Sequence, residues 1–186
     1  MDKPLVSIVI VNYNGIKILK VVLDSVYKQK FKDYEVIVVD NASTDDSVKF
    51  ISKKYKKVKI IKNKENLGYV GINSAMGFCV GKYILFLSND IELEMDCLSE
   101  LLKAAKYSKA TLLAPKLVNF SHKNLKSGGT WVSRAFYNGY TKDKGYEGVK
   151  EIPYMKIGLI DRVVIDMFVY LFDQDYFIYA EDLDLG

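Results

Sequence analysis

Asparagine and aspartate recur where the hydrophobic runs of this chain stop. Leu5 to Val11 gives way to Asn12-Tyr13-Asn14-Gly15, and Val36 to Val39 ends in Asp40-Asn41-Ala42-Ser43. A third run leads to Asn66-Leu67-Gly68-Tyr69, and a fourth ends in Ser88-Asn89-Asp90. Side chains of this kind cap following helices, and Asn14 and Ser43 have the type and place of N-caps. Capping leaves Asp40 and Asp90 over. In open α/β sheets ligands sit beyond the carboxyl ends of the strands. Asp and Asn there can hydrogen-bond a base and a ribose, and Asp90 offers a carboxylate to a divalent cation that bridges phosphates. Together they describe a site for a nucleoside diphosphate.

A second constellation lies at Asp173 to Asp184, where five acids and no base are interleaved with Tyr176, Phe177, Ile178 and Tyr179. A solvated acidic tail would not alternate with aromatics in this way. A carboxylate held near a hydroxyl can act as a general base once partial burial adjusts its pKa, and aromatic faces can stack on sugar rings. Other nucleotide signatures fail. No G-x-G-x-x-G follows the first run, and Gly77 to Lys82 is one residue short of a phosphate-binding loop. His122, the single histidine, reads as a surface loop residue.

The elements that must position these groups alternate. Leu5 to Val11 is too short for a typical helix and rich in β-branched residues, the mark of a strand buried on both faces. Ile16, Leu19, Val22, Leu23, Val26 and Tyr27 then follow helical spacing. The cycle repeats: a strand ending at Asp40, Ser43 to Asp46 as cap and acidic first turn, then Val48, Ile51 and Tyr55 on one helix face. Val58 to Ile61 is a third strand, Gly68 to Val80 a weaker helix stopped by Gly81, and Tyr83 to Leu87 a fourth strand. A helix with Met95, Leu98, Leu101, Leu102 and Ala105 precedes a short strand at Thr111 to Ala114. The pattern predicts a parallel α/β sheet over the first 115 residues. From Asn119 to Gly158 the chain is rich in Gly, Lys and Tyr without sustained periodicity, which predicts loops and short strands.

Composition sets the outer bounds. A chain of 186 residues with 49% hydrophobic and 27% charged residues is long enough for one core. With 12 Gly and 3 Pro, disordered and collagen-like classes are excluded. No apolar run is long enough for a membrane span, and the first residues lack the pattern of a signal peptide, so a cytoplasmic protein is expected. Cys79 and Cys97 have no Cys/His cluster beside them and read as buried small hydrophobes. The net charge of +4 is concentrated: Lys49, Lys53, Lys54, Lys56, Lys57, Lys59, Lys62 and Lys64 occur without an intervening acid. A solvated helix face and strand edge account for that run, although it would also attract an anionic surface. With Arg only at positions 134 and 162, nucleic acid is not an expected partner.

These motifs, in this order, resemble the family 2 inverting glycosyltransferases of the GT-A fold. PLVSIVIVNYNG is similar to the family's opening strand and loop, VIVVDNASTDDS to its second strand end, and ENLGYVGINSAMGFCVGKYILFLSND to the stretch leading into its metal motif. FDQDYFIYAEDLDL resembles the segment that holds the base, and NASTD with ENLGYVGIN is similar to a rhamnosyltransferase-like branch. The resemblance implies a mostly parallel central sheet flanked by helices, Rossmann-like in its nucleotide-binding half (1–115), with a loop-rich acceptor and base half (116–186) in one domain.

It also implies roles. Asn12, Asp40 and Asn41 would contact the base and ribose; Asn66 and Gly68 would line the donor site, with Tyr13, Asn14, Asn73 and Asn89 in the same nucleotide-sugar set. Asp90 would ligate Mg²⁺ or Mn²⁺, and Asp182 would be the catalytic base. The implied reaction moves a sugar from a nucleotide-diphosphate sugar to a hydroxyl of a glycan or lipid-linked acceptor, with inversion, in polysaccharide or glycoconjugate assembly at the cytosolic face of a membrane. Two departures stand out. Ser88 occupies a place where the family often has an acid, and Ile160 to Phe172 lacks the Gly-rich turn of that branch. The family also continues beyond the point where this chain ends, four residues after Asp182, so a longer natural chain is expected. A nucleotidyltransferase or a non-catalytic sugar-nucleotide or glycan-binding module are the alternative readings; oligomeric state is not legible.

Overall fold

The computed structural model describes residues 3–108, 112–115, 117–118, 125–127, 130–132, 138–140 and 157–167. Four parallel strands form its centre: β1 (Val6–Asn12), β2 (Tyr34–Asp40), β3 (Lys59–Lys62) and β4 (Tyr83–Ser88). β5 (Leu112–Leu113) is followed by the short strands β6 (Leu117–Val118), β7 (Leu125–Ser127), β8 (Thr130–Val132) and β9 (Asn138–Tyr140), which pair antiparallel as β6 with β7 and β8 with β9. β10 (Ile157–Asp161) completes a six-stranded mixed sheet in the order β3-β2-β1-β4-β10-β5.

All seven residues of β1 are buried, as a strand covered on both faces requires. The helices α1 (Ile16–Tyr27), α2 (Ser47–Lys54) and α3 (Cys97–Ser108) cover one face. Leu19, Leu23 and Val26 of α1, Ile51 of α2 and Leu98 of α3 pack there on Ile8, Ile10, Val38 and Leu85. The other face carries the 3₁₀ helix η1 (Gly68–Phe78) and α4 (Arg162–Ile165), through Val70, Ile72, Ala75 and Ile165 against Val9, Ile37, Phe86 and Ile160. The chain steps outward from β1 to β3 with its helices on one face, then returns across the sheet to β4. A crossover of unchanged hand running the opposite way lies on the opposite face, which is where η1 sits.

Four local expectations are corrected. Gly68 to Val80 is not an α-helix, because side chains from the sheet edge take carbonyls its first turn would need: Asn41 Nδ2 donates to the Gly68 carbonyl (2.6 Å) and Asn63 Nδ2 to that of Gly71 (3.4 Å). Gly81 is not its stop. A Cβ at Gly81 would lie 2.5 Å from the Ser7 backbone nitrogen, so this glycine exists for close contact with β1. Met95 precedes α3 and is exposed rather than on its buried stripe, and its carbonyl accepts from the Lys30 N–H (3.0 Å). β10, from a stretch read as loop-rich, lies antiparallel to β4 with Leu159 opposite Leu85. Of the cysteines, Cys79 is buried and its thiol is pushed up to about 12 by burial, as a packing residue should be; Cys97 is half-buried.

At the amino ends of the strands, Glu35 ties three elements together. Its Oε1 accepts from Ser7 Oγ (2.7 Å) and the Val80 N–H (2.9 Å), and its Oε2 from Lys59 Nζ (2.7 Å). Burial raises its pKa, but the bonds from Lys59, Ser7 and Val80 outweigh burial and hold the carboxyl below its ordinary value of 4.5. A carboxyl lowered on folding contributes stability that is full above its unfolded pKa and is lost as pH falls through the folded one. Thermal unfolding from neutral to acid pH should therefore show the parent losing stability below 4.5 more steeply than Glu35→Gln. Parallel curves would contradict this role.

Candidate functional site

Three loops meet at the carboxyl ends of the strands through side-chain amides. Asn12 closes β1 and is buried; Asn12 Nδ2 donates to Asp40 Oδ1 (3.2 Å) and Ser43 Oγ (3.3 Å), and its Oδ1 accepts from Asn89 Nδ2 (2.9 Å). One side chain thus joins the ends of β1, β2 and β4. Asp40 is also buried, and its Oδ2 accepts the Ser43 N–H (3.1 Å). Each buried polar group is therefore satisfied, as burial demands.

The loop after β1 is fastened to the loop after β2 rather than capping its own helix. The first residue before α1 is Gly15, with no side-chain cap, and α2 begins only at Ser47. Asn14, at a φ of 47°, turns its Oδ1 to accept from the N–H groups of Thr44 (2.7 Å) and Asp45 (3.2 Å), while its own N–H donates to Ser43 Oγ (2.9 Å). Both expected N-caps serve a tertiary contact instead. Asp45 Oδ2 accepts the Ile16 N–H at the start of α1 (3.1 Å). Burial raises the Asp45 pKa, but bonds from Ser47 and the Ile16 and Ser47 N–H groups outweigh it and keep the carboxyl below its usual range.

Asn41 organises the third loop. It is buried; its Nδ2 donates to the Gly68 carbonyl (2.6 Å) and Asn66 Oδ1 (3.4 Å), and its Oδ1 accepts from Asn63 Nδ2 (2.8 Å). Asn66 Oδ1 takes the Gly68 N–H (3.0 Å), which fixes Gly68 at a φ of 64°. Gly71 passes so close that a Cβ would fall 2.3 Å from Asn41 Oδ1. Asn63 and Ser74 belong to this network and were not singled out in the sequence: the Asn63 N–H donates to the Asp40 carbonyl (2.8 Å), and Ser74 Oγ to Asn63 Oδ1 (2.8 Å). Asn63 directly follows β3, so the strand-end rule applied to the other strands would have found it.

Of the remaining expected residues, Tyr13 is exposed at the tip of the β1 loop, Asn73 is half-buried in η1, and Asp90 is exposed one residue beyond Asn89. Asp182 and His122 lie outside the described residues. Among the described residues no group of three His, Cys, Asp or Glu side chains could hold a metal ion. An exposed carboxylate such as that of Asp90 still fits a cation of the Mg²⁺ kind, which keeps its waters and takes one or two carboxylates plus substrate phosphates.

The geometry is that of an α/β sheet whose carboxyl edge carries Asn12, Asp40, Asn41 and Asp90. A family model, glycosyl transferase family 2, matches residues 7–162, which contain every described part of this edge. The chain belongs to glycosyl transferase family 2. Within the family it is 38% identical over 88 residues to the UDP-Glc:alpha-D-GlcNAc-diphosphoundecaprenol beta-1,3-glucosyltransferase WfaP of Escherichia coli, covering 46% of this chain and 35% of that protein. Among solved structures, TarS 1–349 of S. aureus in complex with UDP has a TM-score of 0.74 at 20% identity, covering 96% of this chain and 52% of the other. The mannosyltransferase PcManGT of Pyrobaculum calidifontis, in complex with GDP-Man and Mn²⁺, has a TM-score of 0.69 at 16% identity, covering 98% and 51%. The fold is that of the GT-A glycosyltransferases. The family 2 chain described here spans about half of these neighbours and a third of the curated relative. No helix among its described residues is long and apolar enough to cross a membrane.

Proposed function

We propose that this family 2 chain transfers a sugar from a nucleotide-diphosphate donor to an acceptor hydroxyl, with inversion and with a divalent cation, in polysaccharide or glycoconjugate assembly. The observation that carries the reading is the amide network at the strand ends, which holds Asn12, Asp40 and Asn41 along one edge and Asn89, next to Asp90, against it. Relatives support the partners: UDP and GDP-Man with Mn²⁺ occupy two structural neighbours, and the name of the Escherichia coli relative specifies a UDP-Glc donor and a lipid-linked acceptor.

In this reading Asn12, Asp40 and Asn41 meet the base and ribose, while Asn66 and Gly68 line the donor site, with Tyr13, Asn14, Asn73 and Asn89 in the same nucleotide-sugar set. Asp90 would hold Mg²⁺ or Mn²⁺, which when bound would offset the negative charge of the leaving group. Asp182 takes the proton of the acceptor hydroxyl, whose oxygen bonds to the anomeric carbon. The bond from that carbon to the diphosphate breaks, its electron pair leaves with the nucleoside diphosphate, and the configuration inverts. Residues 1–115 form the donor half and 116–186 the acceptor half of one cytoplasmic domain, β10 being lent to the sheet of the first. The NASTD and ENLGYVGIN motifs support placement in a rhamnosyltransferase-like branch.

The test is release of nucleoside diphosphate from UDP-glucose, GDP-mannose and dTDP-rhamnose with Mn²⁺, compared with Asp182→Asn. Loss of a general base is expected to slow release by roughly 10²–10⁴-fold with donor affinity retained. Equal rates for parent and variant would overturn the assignment of Asp182, and binding without turnover of any donor would favour a binding module.

A further inference from the structure

We infer that the lysine-rich surface built by α1, α2 and β3 is a docking face for an anionic lipid bilayer. All eight lysines between Lys49 and Lys64 are exposed, and no acid interrupts them. Only two have an ion-pair partner among the described residues: Lys54 with Asp24 (3.1 Å) and Lys59 with Glu35 (2.7 Å). Lys49, Lys53, Lys56, Lys57, Lys62 and Lys64 therefore present uncompensated charge. Of the neighbouring acids, Asp45 and Asp46 precede Lys49 and Glu65 follows Lys64, so along the chain the stretch from Lys53 to Lys62 has none beside it.

Ordinary structural needs explain part of this face. β3 is an edge strand, where lysines discourage pairing with other chains, which accounts for Lys59 and Lys62. Lys53 and Lys54 complement the carboxyl end of the α2 dipole. Lys49, Lys56, Lys57 and Lys64 remain, and so does the mutual repulsion of the set.

α1 extends the same surface. It lies beside α2, with Tyr27 stacked on Tyr55 at 5.5 Å between ring centroids and the Asp24 carboxylate accepting from the Tyr55 hydroxyl at 2.6 Å. Its solvent side presents Lys17 and Lys20 together with Ile18 and Val21, which are 49% and 47% exposed. Lysines interspersed with exposed aliphatic side chains suit a bilayer interface, where charge attracts anionic headgroups and apolar groups enter the acyl boundary. Nucleic acid is the less suited polyanion: these three elements contain no arginine, the side chain that reads phosphate and base edges in bidentate fashion. The inference rests on this charge pattern and not on the proposed reaction.

The experiment is sedimentation of the 186-residue chain with phosphatidylcholine vesicles, with and without phosphatidylglycerol, at low and high salt. Two triple variants remove the same charge: Lys53→Gln, Lys56→Gln, Lys57→Gln on this face, and Lys82→Gln, Lys103→Gln, Lys106→Gln elsewhere. Each lysine near an anionic surface strengthens binding about fivefold, so the first triple should weaken it about a hundredfold and the second far less. Binding should require phosphatidylglycerol and fade as salt screens it. Absence of binding to phosphatidylglycerol vesicles, an equal loss in both triples, or tighter binding of a short duplex oligonucleotide at the same salt would overturn the inference.

Discussion

Replacing Asp90 with alanine is expected to lower sugar transfer about a thousandfold, because a cation on the diphosphate supplies several kcal/mol of charge stabilisation as the leaving group departs. The size of the effect follows from how little else the described residues offer the metal. Ser88 stands where a second acid would help, and among the described residues no three-membered cluster of metal-ligating side chains exists. A two-carboxylate site loses part of its affinity when one ligand goes; a one-carboxylate site loses its protein ligand altogether. Asp90 is exposed and its neighbour Asn89 carries the link to Asn12, and the variant's melting temperature without nucleotide separates loss of the metal ligand from loss of fold. Steady-state transfer with a Mn²⁺ titration reads the effect. Parent-like rates at saturating Mn²⁺ would show that the metal, if used, is held elsewhere.

The second large effect is expected at Asn41. Asn41→Asp is nearly isosteric, yet it puts a carboxylate oxygen where an amide N–H now meets the Gly68 carbonyl at 2.6 Å and Asn66 Oδ1 at 3.4 Å. An oxygen facing two oxygens in a buried position leaves acceptors unsatisfied at a cost of about 2 kcal/mol. For a chain of this size that lowers the melting temperature by about 4–8 °C. The consequence extends to function, because Asn41 holds Gly68 and Asn66 at the edge of the proposed site. Nucleoside diphosphate affinity should fall about tenfold, or about 1.4 kcal/mol. Calorimetric titration of parent and variant with the preferred diphosphate checks it. An unchanged affinity in a destabilised variant would make Asn41 a folding residue only.

Sequence legibility divides along the range of the interaction involved. β1, β2 and β4 are legible because strands buried on both faces must be continuous apolar runs, and LVSIVIV and VIVV are such runs. The position of Asp40, Asn41 and Asp90 at one edge follows from the same reading. What escapes it is non-local. Asn14 and Ser43 have the composition of caps, yet Asn14 bonds Thr44 and Asp45 across thirty residues of chain, a partner no local rule can supply. β10 escapes because Ile157-Gly158-Leu159-Ile160 is brief and lies beside Gly- and Lys-rich sequence; its identity as a strand comes from pairing with Leu85 and Phe86. η1 is misread for a related reason, since its carbonyls are contested by Asn41 and Asn63 from other elements.

The proposed transfer requires a metal-assisted site for a nucleoside diphosphate at the carboxyl edge of the sheet. Thermal unfolding of the chain with UDP, dTDP, GDP and ATP, each with and without Mn²⁺, tests it most directly, since a ligand bound only to the native state raises the melting temperature. A rise with one nucleoside diphosphate that requires Mn²⁺ and disappears in Asp90→Ala is expected. No rise with any diphosphate, or a rise with ATP alone, would contradict it.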